Sequence, residues 1–204
     1  MDVTVIGAGR VGIALARAWQ RAELRVTIAV RDPEAERYED IRAEFAVGTI
    51  DRAVPQADAT LIAVPANSVA ELVSTRAAVL NGRLLLDATN AIGGVHLHQV
   101  PLLQQALPAA RIYRAFNTLG WENYANPGFD LAGTRVPADL LYCGPAGLDL
   151  PQVERLIAAV GLRPVRIGDL QAADLLDGIA RLWFALALGQ GHGRHLAFRM
   201  LDDA

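Results

Sequence analysis

Three observations predict an α/β fold with a doubly wound parallel sheet. Short apolar runs alternate with helical patterns along most of the chain. The first run, Val3-Thr4-Val5-Ile6, passes directly into Gly7-Ala8-Gly9-Arg10-Val11-Gly12. Hydrophobic residues make up 52% of 204 positions, enough to bury a sizeable core and too many for a disordered chain.

Each element follows in order. After the glycine run, Val11, Leu15, Ala18 and Trp19 recur at helical spacing. A G-x-G-x-x-G pattern between a strand and a helix has a mechanism. Gly7 permits a tight turn, Gly9 lets the backbone approach a pyrophosphate, and Gly12 lets the helix pack on the sheet. The helix N-terminus, beginning with Arg10 and Val11, faces the phosphate charge. The pattern therefore predicts a Rossmann-type dinucleotide site.

Arg25 to Val30 is the second strand, and Arg31 follows it, nineteen residues after Gly12. An acid near this position would bind the ribose hydroxyls of NAD, whereas an arginine suits the 2′-phosphate of NADP. Asp32 is the competing acid. Asp32-Pro33-Glu34 reads as an N-cap, a proline at the first helical position and a first-turn acid, which gives Asp32 a structural task. The pattern favours NADP.

Phe45 to Ile50 is a third strand. Ala59 to Val64 is a fourth, ending at Pro65, and Ser68-Val69-Ala70-Glu71 reads as a capping box that opens the next helix. Arg83 to Leu86 and Arg111 to Phe116 are the fifth and sixth strands. Residues 120–138, rich in Gly, Pro and Asn, read as a long loop. Ala138 to Cys143 and Arg163 to Ile167 are further strands, with a helix between them opened by Asp149 and Pro151 and ended by Gly161. Leu175, Leu176, Ile179, Leu182, Trp183 and Leu186 form an apolar helical stripe. This is either core, a dimer surface or a lid. The expected division is a dinucleotide-binding domain over 1–135 and a smaller C-terminal α+β and helical part over 136–204.

Composition excludes several functions. A net charge of −3 offers no general attraction to nucleic acid or an anionic membrane. Single Cys143 allows no internal disulfide and no metal set, and the glycine loop at Gly7 leaves no room for a signal peptide, so a cytoplasmic protein is expected. The apolar stretch from Leu182 to Gly189 is too short to span a membrane. All nineteen basic residues are arginine, which removes Schiff-base chemistry and a Tyr-x-x-x-Lys dyad.

Ligands of such sheets bind at the carboxyl ends of the strands. Those ends carry Ala63, Val64, Pro65 and Ser68, then Asp87 and Asn90, then Ala115 and Asn117. Asn90 and Asn117 either hydrogen-bond a nicotinamide carboxamide or cap their loops. Asp87 is read as structural rather than as a general base. His96 with His98 and His192 with His195 lack a further ligand at metal spacing, so no metal is expected. No catalytic residue stands out for moving a proton to an alcohol. Hydride transfer between two organic cofactors needs less of that machinery.

Beyond the glycines, several motifs resemble the NADP oxidoreductase family that depends on coenzyme F-420, a deazaflavin. Arg114-Ala115-Phe116-Asn117-Thr118-Leu119 resembles its "AFNTL" stretch, and Leu141-Tyr142-Cys143-Gly144 resembles its "CGDD" strand end. Ala63-Val64-Pro65 resembles the fourth-strand end beside the nicotinamide ribose. Val30-Arg31 sits where that family has a Ser-Arg pair, and Gly191-His192-Gly193 and Ala197-Phe198 also fit. The STEAP-type oxidoreductase domains share the Ala-Phe-Asn and Cys-Gly signals. Two departures are Val30, which lacks the hydroxyl, and Gly144-Pro145-Ala146, which replaces the acidic pair. The apolar stripe, with more large residues than one small domain needs, implies a homodimer anchored by Trp183. The resemblance implies an NADP-dependent oxidoreductase. It implies hydride exchange between NADPH and a flat acceptor such as a deazaflavin or flavin. A small-metabolite dehydrogenase and a non-catalytic NADP sensor are the alternatives.

Overall fold

A computed structural model describes residues 1–201. Six parallel strands form the central sheet: β1 (Asp2–Ile6), β2 (Arg25–Val30), β3 (Ala46–Thr49), β4 (Ala59–Ile62), β5 (Leu84–Asp87) and β6 (Arg111–Arg114). Their order is β3-β2-β1-β4-β5-β6. Val5 registers with Ile28 on one side and with Leu61 on the other. The strand order reverses between β1 and β4, so their carboxyl ends open the crevice where such sheets bind ligands.

The two-residue period of the strands divides the core into two layers. Val5, Leu61, Leu86 and Tyr113 face one layer. Ile6, Ile62, Leu85 and Ile112 face the other. The first layer is covered by α1 (Arg10–Arg21) and by α7 (Leu150–Ala159); the second by α4 (Val69–Leu80) and α5 (Val100–Ala106). Trp19 of α1 is fully buried, and its indole Nε1 donates to Leu156 O at 2.9 Å, tying α1 to α7.

The C-terminal part is a second, smaller β-α-β unit. β9 (Asp139–Tyr142) and β10 (Arg163–Arg166) pair in parallel around α7. The pair meets the main sheet through an antiparallel bridge in which Arg114 and Cys143 exchange backbone hydrogen bonds of 2.8 and 3.1 Å. One core cluster runs through both parts, from Val3 to Ala187.

Four local expectations change. Residues 120–138 are ordered. They hold α6 (Trp121–Ala125) and the hairpin β7 (Phe129–Leu131) and β8 (Thr134–Val136). Ala132 and Gly133 both have positive φ, as a type I′ turn requires, but Ala-Gly carries none of the usual Asn-Gly signal. The helix expected at Pro33 starts later, as a 3₁₀ turn at Glu36 and then α2 (Glu39–Glu44), and the one-turn α3 (Ile50–Ala53) follows β3. Asp32 instead accepts the Glu34 amide at 3.2 Å in a local turn. Ser68 makes no cap bond, and Glu71 turns to another partner. The apolar stripe on α8 (Ala173–Phe184) splits: Leu176 and Trp183 are core, whereas Leu175 and Leu182 are 65% and 46% exposed. Trp183 is 2% exposed and its Nε1 donates to Leu196 O at 2.8 Å, so this residue anchors the chain's own C-terminal segment.

Candidate functional site: a nucleotide crevice and a buried clamp

The glycine run folds as its spacing requires. Gly7 has φ +110°, and a Cβ there would lie 2.5 Å from Ala63 O, so the turn after β1 presses against the end of β4. A Cβ on Gly12 would lie 2.5 Å from Gly7 O, which fixes the close packing of α1 on the turn. Gly9 differs from both. It is the N-cap of α1, and a Cβ there would meet nothing within 4 Å. The protein itself does not require a glycine at Gly9. A ligand lying on the backbone would. Arg10 and Val11 open the helix behind it.

Arg31 leaves the end of β2 on the surface, 67% exposed, and its Nη2 lies 2.5 Å from Glu71 Oε2 on α4. Glu71 thus spans the mouth of the crevice between the ends of β2 and β4. Ala63, Val64 and Pro65 follow β4, and Ser68 closes a 3₁₀ turn there, its amide donating to Pro65 O at 2.8 Å.

The ends of β5 and β6 are joined by side chains. Asn90 Nδ2 donates to Asn117 O at 2.8 Å, while Asn90 Oδ1 accepts from Arg114 Nη2 at 2.9 Å. Asn90 is therefore committed to holding the loop. Asn117 is not. It is 3% exposed, and neither its Nδ2 nor its Oδ1 has a hydrogen-bond partner. Its backbone is set by Phe116, a buried aromatic residue at φ +63°. Such a conformation costs on the order of 1–3 kcal/mol and persists where the surroundings enforce it. Here Trp19 and Tyr124 hold the Phe116 ring edge-on at 5.7 and 5.8 Å, and Tyr124 Oη donates to Phe116 O at 2.8 Å. Burial pushes the Tyr124 phenol far above its ordinary pKa, so it stays a donor. Ala115 is fully buried, its amide donating to Asp87 O.

Beneath this lies a clamp that sequence reading missed. Arg114 is fully buried. It donates to Asp87 Oδ2 and to Asp177 Oδ1, both at 2.9 Å, and to Thr89 O at 2.8 Å. Asp87 also accepts from the Thr89 hydroxyl and amide. Asp87 is therefore structural, as expected. Asp177 comes from α8, 63 residues beyond Arg114, and no spacing rule connects them. Cys143 beside this cluster is buried, and burial pushes its thiol up to about 11, which leaves it no nucleophile near neutral pH.

The histidines separate. His195 stacks on Phe129 at 4.5 Å and lies 2.9 Å from Asn126 O, and His192 is exposed. His96 and His98 both approach Asp174 of α8, an acid far from them in sequence. A cavity of about 350 Å³ lies beside the glycine loop, between α1 and α6, lined by Gly9, Arg10, Ile13 and Trp121 among others. Among the described residues, no helix is long and apolar enough to cross a membrane.

Solved structures share the fold. A candidate F420-dependent NADP-reductase from Arthrobacter sp. FB24 is 22% identical, with a TM-score of 0.82 over 99% of this chain and 100% of that one. The hypothetical protein SMa0349 from Sinorhizobium meliloti is 26% identical, with a TM-score of 0.70 over 100% and 96%. A reductive aminase from Aspergillus terreus in complex with NADPH and ethyl-5-oxohexanoate is 22% identical, with a TM-score of 0.68. That match covers 93% of this chain and 63% of the aminase. No curated protein matches the chain. Residues 2–91, which hold the glycine loop, Arg31 and the ends of β4 and β5, match the family of NADP oxidoreductases that depend on coenzyme F420.

Proposed function

We propose that this chain binds NADPH in the crevice and exchanges a hydride with a flat redox acceptor, a deazaflavin or a flavin. The observation that carries this reading is the buried, unpartnered amide of Asn117 at the end of β6. Leaving such a group unsatisfied costs about 1–3 kcal/mol. The carboxamide of a nicotinamide offers one donor and one acceptor, and so answers both orphaned atoms. When bound, NADPH supplies the hydride. The chain's own residues bind, orient and exclude water. Gly9 admits the pyrophosphate, Arg31 meets the 2′-phosphate, and Ala63, Val64 and Pro65 flank the ribose. Ala115 backs the strand end, and Asn90 fixes the carbonyl of Asn117.

The same geometry bears on the acceptor. Asp87, the acid at the strand ends, is locked to Arg114 and Thr89. It is not free to move a proton to a substrate alcohol. A flat ring that takes the hydride into its own π-system asks least of the protein. The region 136–204 would close over that ring, in a cytoplasmic protein. The exposed Leu175 and Leu182 row on α8 suits a second copy of the chain, and light scattering that shows a monomer at micromolar concentration would rule that out.

The decisive test follows NADPH oxidation against deazaflavin, flavin mononucleotide, simple ketones and imines. Turnover is expected with deazaflavin or flavin, and Asn117→Ala should slow it about five- to tenfold, since one lost amide contact is worth about 1–1.5 kcal/mol. Turnover with ketones or imines alone would mark a metabolite reductase. Tight NADPH binding with no turnover would mark a sensor.

A further inference from the structure

Beyond the crevice, the segment after Asn90 brings two imidazoles to one carboxylate. His96 Nδ1 lies 2.7 Å and His98 Nε2 lies 3.2 Å from the same oxygen, Asp174 Oδ1. One nitrogen from each imidazole and one carboxylate oxygen from each of Asp174 and Asp177 lie within 4.8 Å of one another. Ligands held about 2.0–2.1 Å from one tetrahedral ion sit roughly 3.3 Å apart. The observed separations therefore need only small rotations to surround an ion.

The supports of this cluster are fixed. Asp177 Oδ2 accepts the amides of Leu97 at 2.6 Å and of His98 at 3.2 Å, and its Oδ1 accepts from Arg114. With both oxygens in use, Asp177 holds the backbone that carries the imidazoles. Arg181 donates to the carbonyls of Gly94 and Val95 and holds the preceding residues. His98 is buried against α5, its Nδ1 accepting the Val100 amide at 3.3 Å. His96 and Asp174 are exposed, so an ion has a path in. Metal ligands set on such a supporting shell are what divalent sites require.

We infer that His96, His98 and Asp174 form a binding site for one divalent transition-metal ion of the imidazole-preferring class, with water completing its shell. Two neutral imidazoles and one carboxylate supply a charge that a divalent ion more than offsets. Coordination through His98 Nε2 moves its proton to Nδ1 and gives up the long bond from Val100. The ion would staple the segment 91–99 to α8, next to the Asn90 side chain that holds Asn117.

The test uses the full chain, stripped with a chelator and dialysed against Co²⁺ and, separately, Zn²⁺. One ion per chain is expected, with the visible absorption of nitrogen-coordinated cobalt. His96→Ala and Asp174→Ala lie on the surface and should leave the fold and NADPH binding intact. Each should weaken uptake by at least about tenfold, the smaller end of what even a supporting residue contributes. Replacing His192 and His195 together should change nothing. No stoichiometric uptake by the natural chain would overturn the site. So would unchanged uptake in the His96→Ala, Asp174→Ala double variant, or loss on replacing His192 and His195. None of these results depends on which acceptor the crevice serves.

Discussion

The crevice between β1 and β4 and the clamp between β6 and α8 lie a few strands apart, and they draw on the chain in different ways. The crevice is local. Gly7, Gly9 and Gly12 fall within six residues, and two of them are required by the fold itself, because a Cβ at Gly7 or Gly12 would lie 2.5 Å from a backbone oxygen. The clamp is long-range. Arg114 joins Asp87 from 27 residues before it and Asp177 from 63 residues after it, with none of the three exposed beyond 1%. Local construction leaves one position, Gly9, free for ligand selection. Long-range construction leaves none of its members free, because each removal strands a buried charge. The crevice should therefore fail by losing ligand, and the clamp by losing stability.

The largest expected effect breaks the clamp. Arg114→Met removes the guanidinium and leaves Asp87 and Asp177 buried without a cation. Removing one partner of a buried ion pair costs about 3–5 kcal/mol. The measurement is the midpoint of urea unfolding. Asp177→Asn should cost less, because the amide oxygen can still accept from Leu97 and His98. A loss below about 1 kcal/mol for Arg114→Met would mean the three groups do not act as one unit.

The next effect separates two glycines of one loop. Gly9→Val should abolish NADPH binding in calorimetry and change the unfolding free energy by no more than about 0.5 kcal/mol, as for a surface change. Gly7→Ala should damage both, because its φ of +110° disfavours a side chain and the added carbon would strike Ala63 O. If Gly9→Val binds NADPH with unchanged affinity, the loop is not the pyrophosphate site. If both variants unfold alike, the distinction between ligand-required and fold-required glycine fails.

This division also explains what the sequence could reveal. The six strands are legible because each is a short apolar run, and the glycine loop because its logic is contained in six residues. Arg114 is visible as part of a motif, but its partner Asp177 is one of two acids on an amphipathic helix, and nothing local marks it as the buried one. The same separation hid Asp174 from His96 and His98. Glu71 reads as a cap because a local pattern, Ser68 and an acid three residues later, competes with a distant cation, and the distant cation wins. Trp183 reads as an interface anchor because a helical stripe cannot show which of its sides is already covered. Here the C-terminal segment at Leu196 covers it. The helix and hairpin in residues 120–138 are hidden by Gly, Pro and Asn, which serve the turns between elements shorter than six residues.

The smallest expected effect refines the crevice at its rim. Arg31 and Glu71 are both more than half exposed, and an ion pair of that kind contributes well under about 1 kcal/mol. A 2′-phosphate offers Arg31 a bidentate, charge-assisted partner worth about 1.5–3 kcal/mol. The phosphate should therefore displace Glu71. Arg31→Ala should weaken NADPH binding about tenfold to a hundredfold and leave NADH binding unchanged. Glu71→Gln should act in the opposite direction. It frees the guanidinium and removes a negative charge from beside the phosphate, so NADPH should bind a few-fold tighter at low salt, by up to about 1 kcal/mol. The gain should shrink as salt rises, because exposed charges are screened over about 8–10 Å at physiological ionic strength. Competition binding of NADPH and NADH to the two variants at low and high salt decides the matter. Equal losses for both cofactors in Arg31→Ala would remove Arg31 from cofactor choice. An NADPH affinity in Glu71→Gln that is unchanged at low salt would show that Glu71 does not guard the phosphate site.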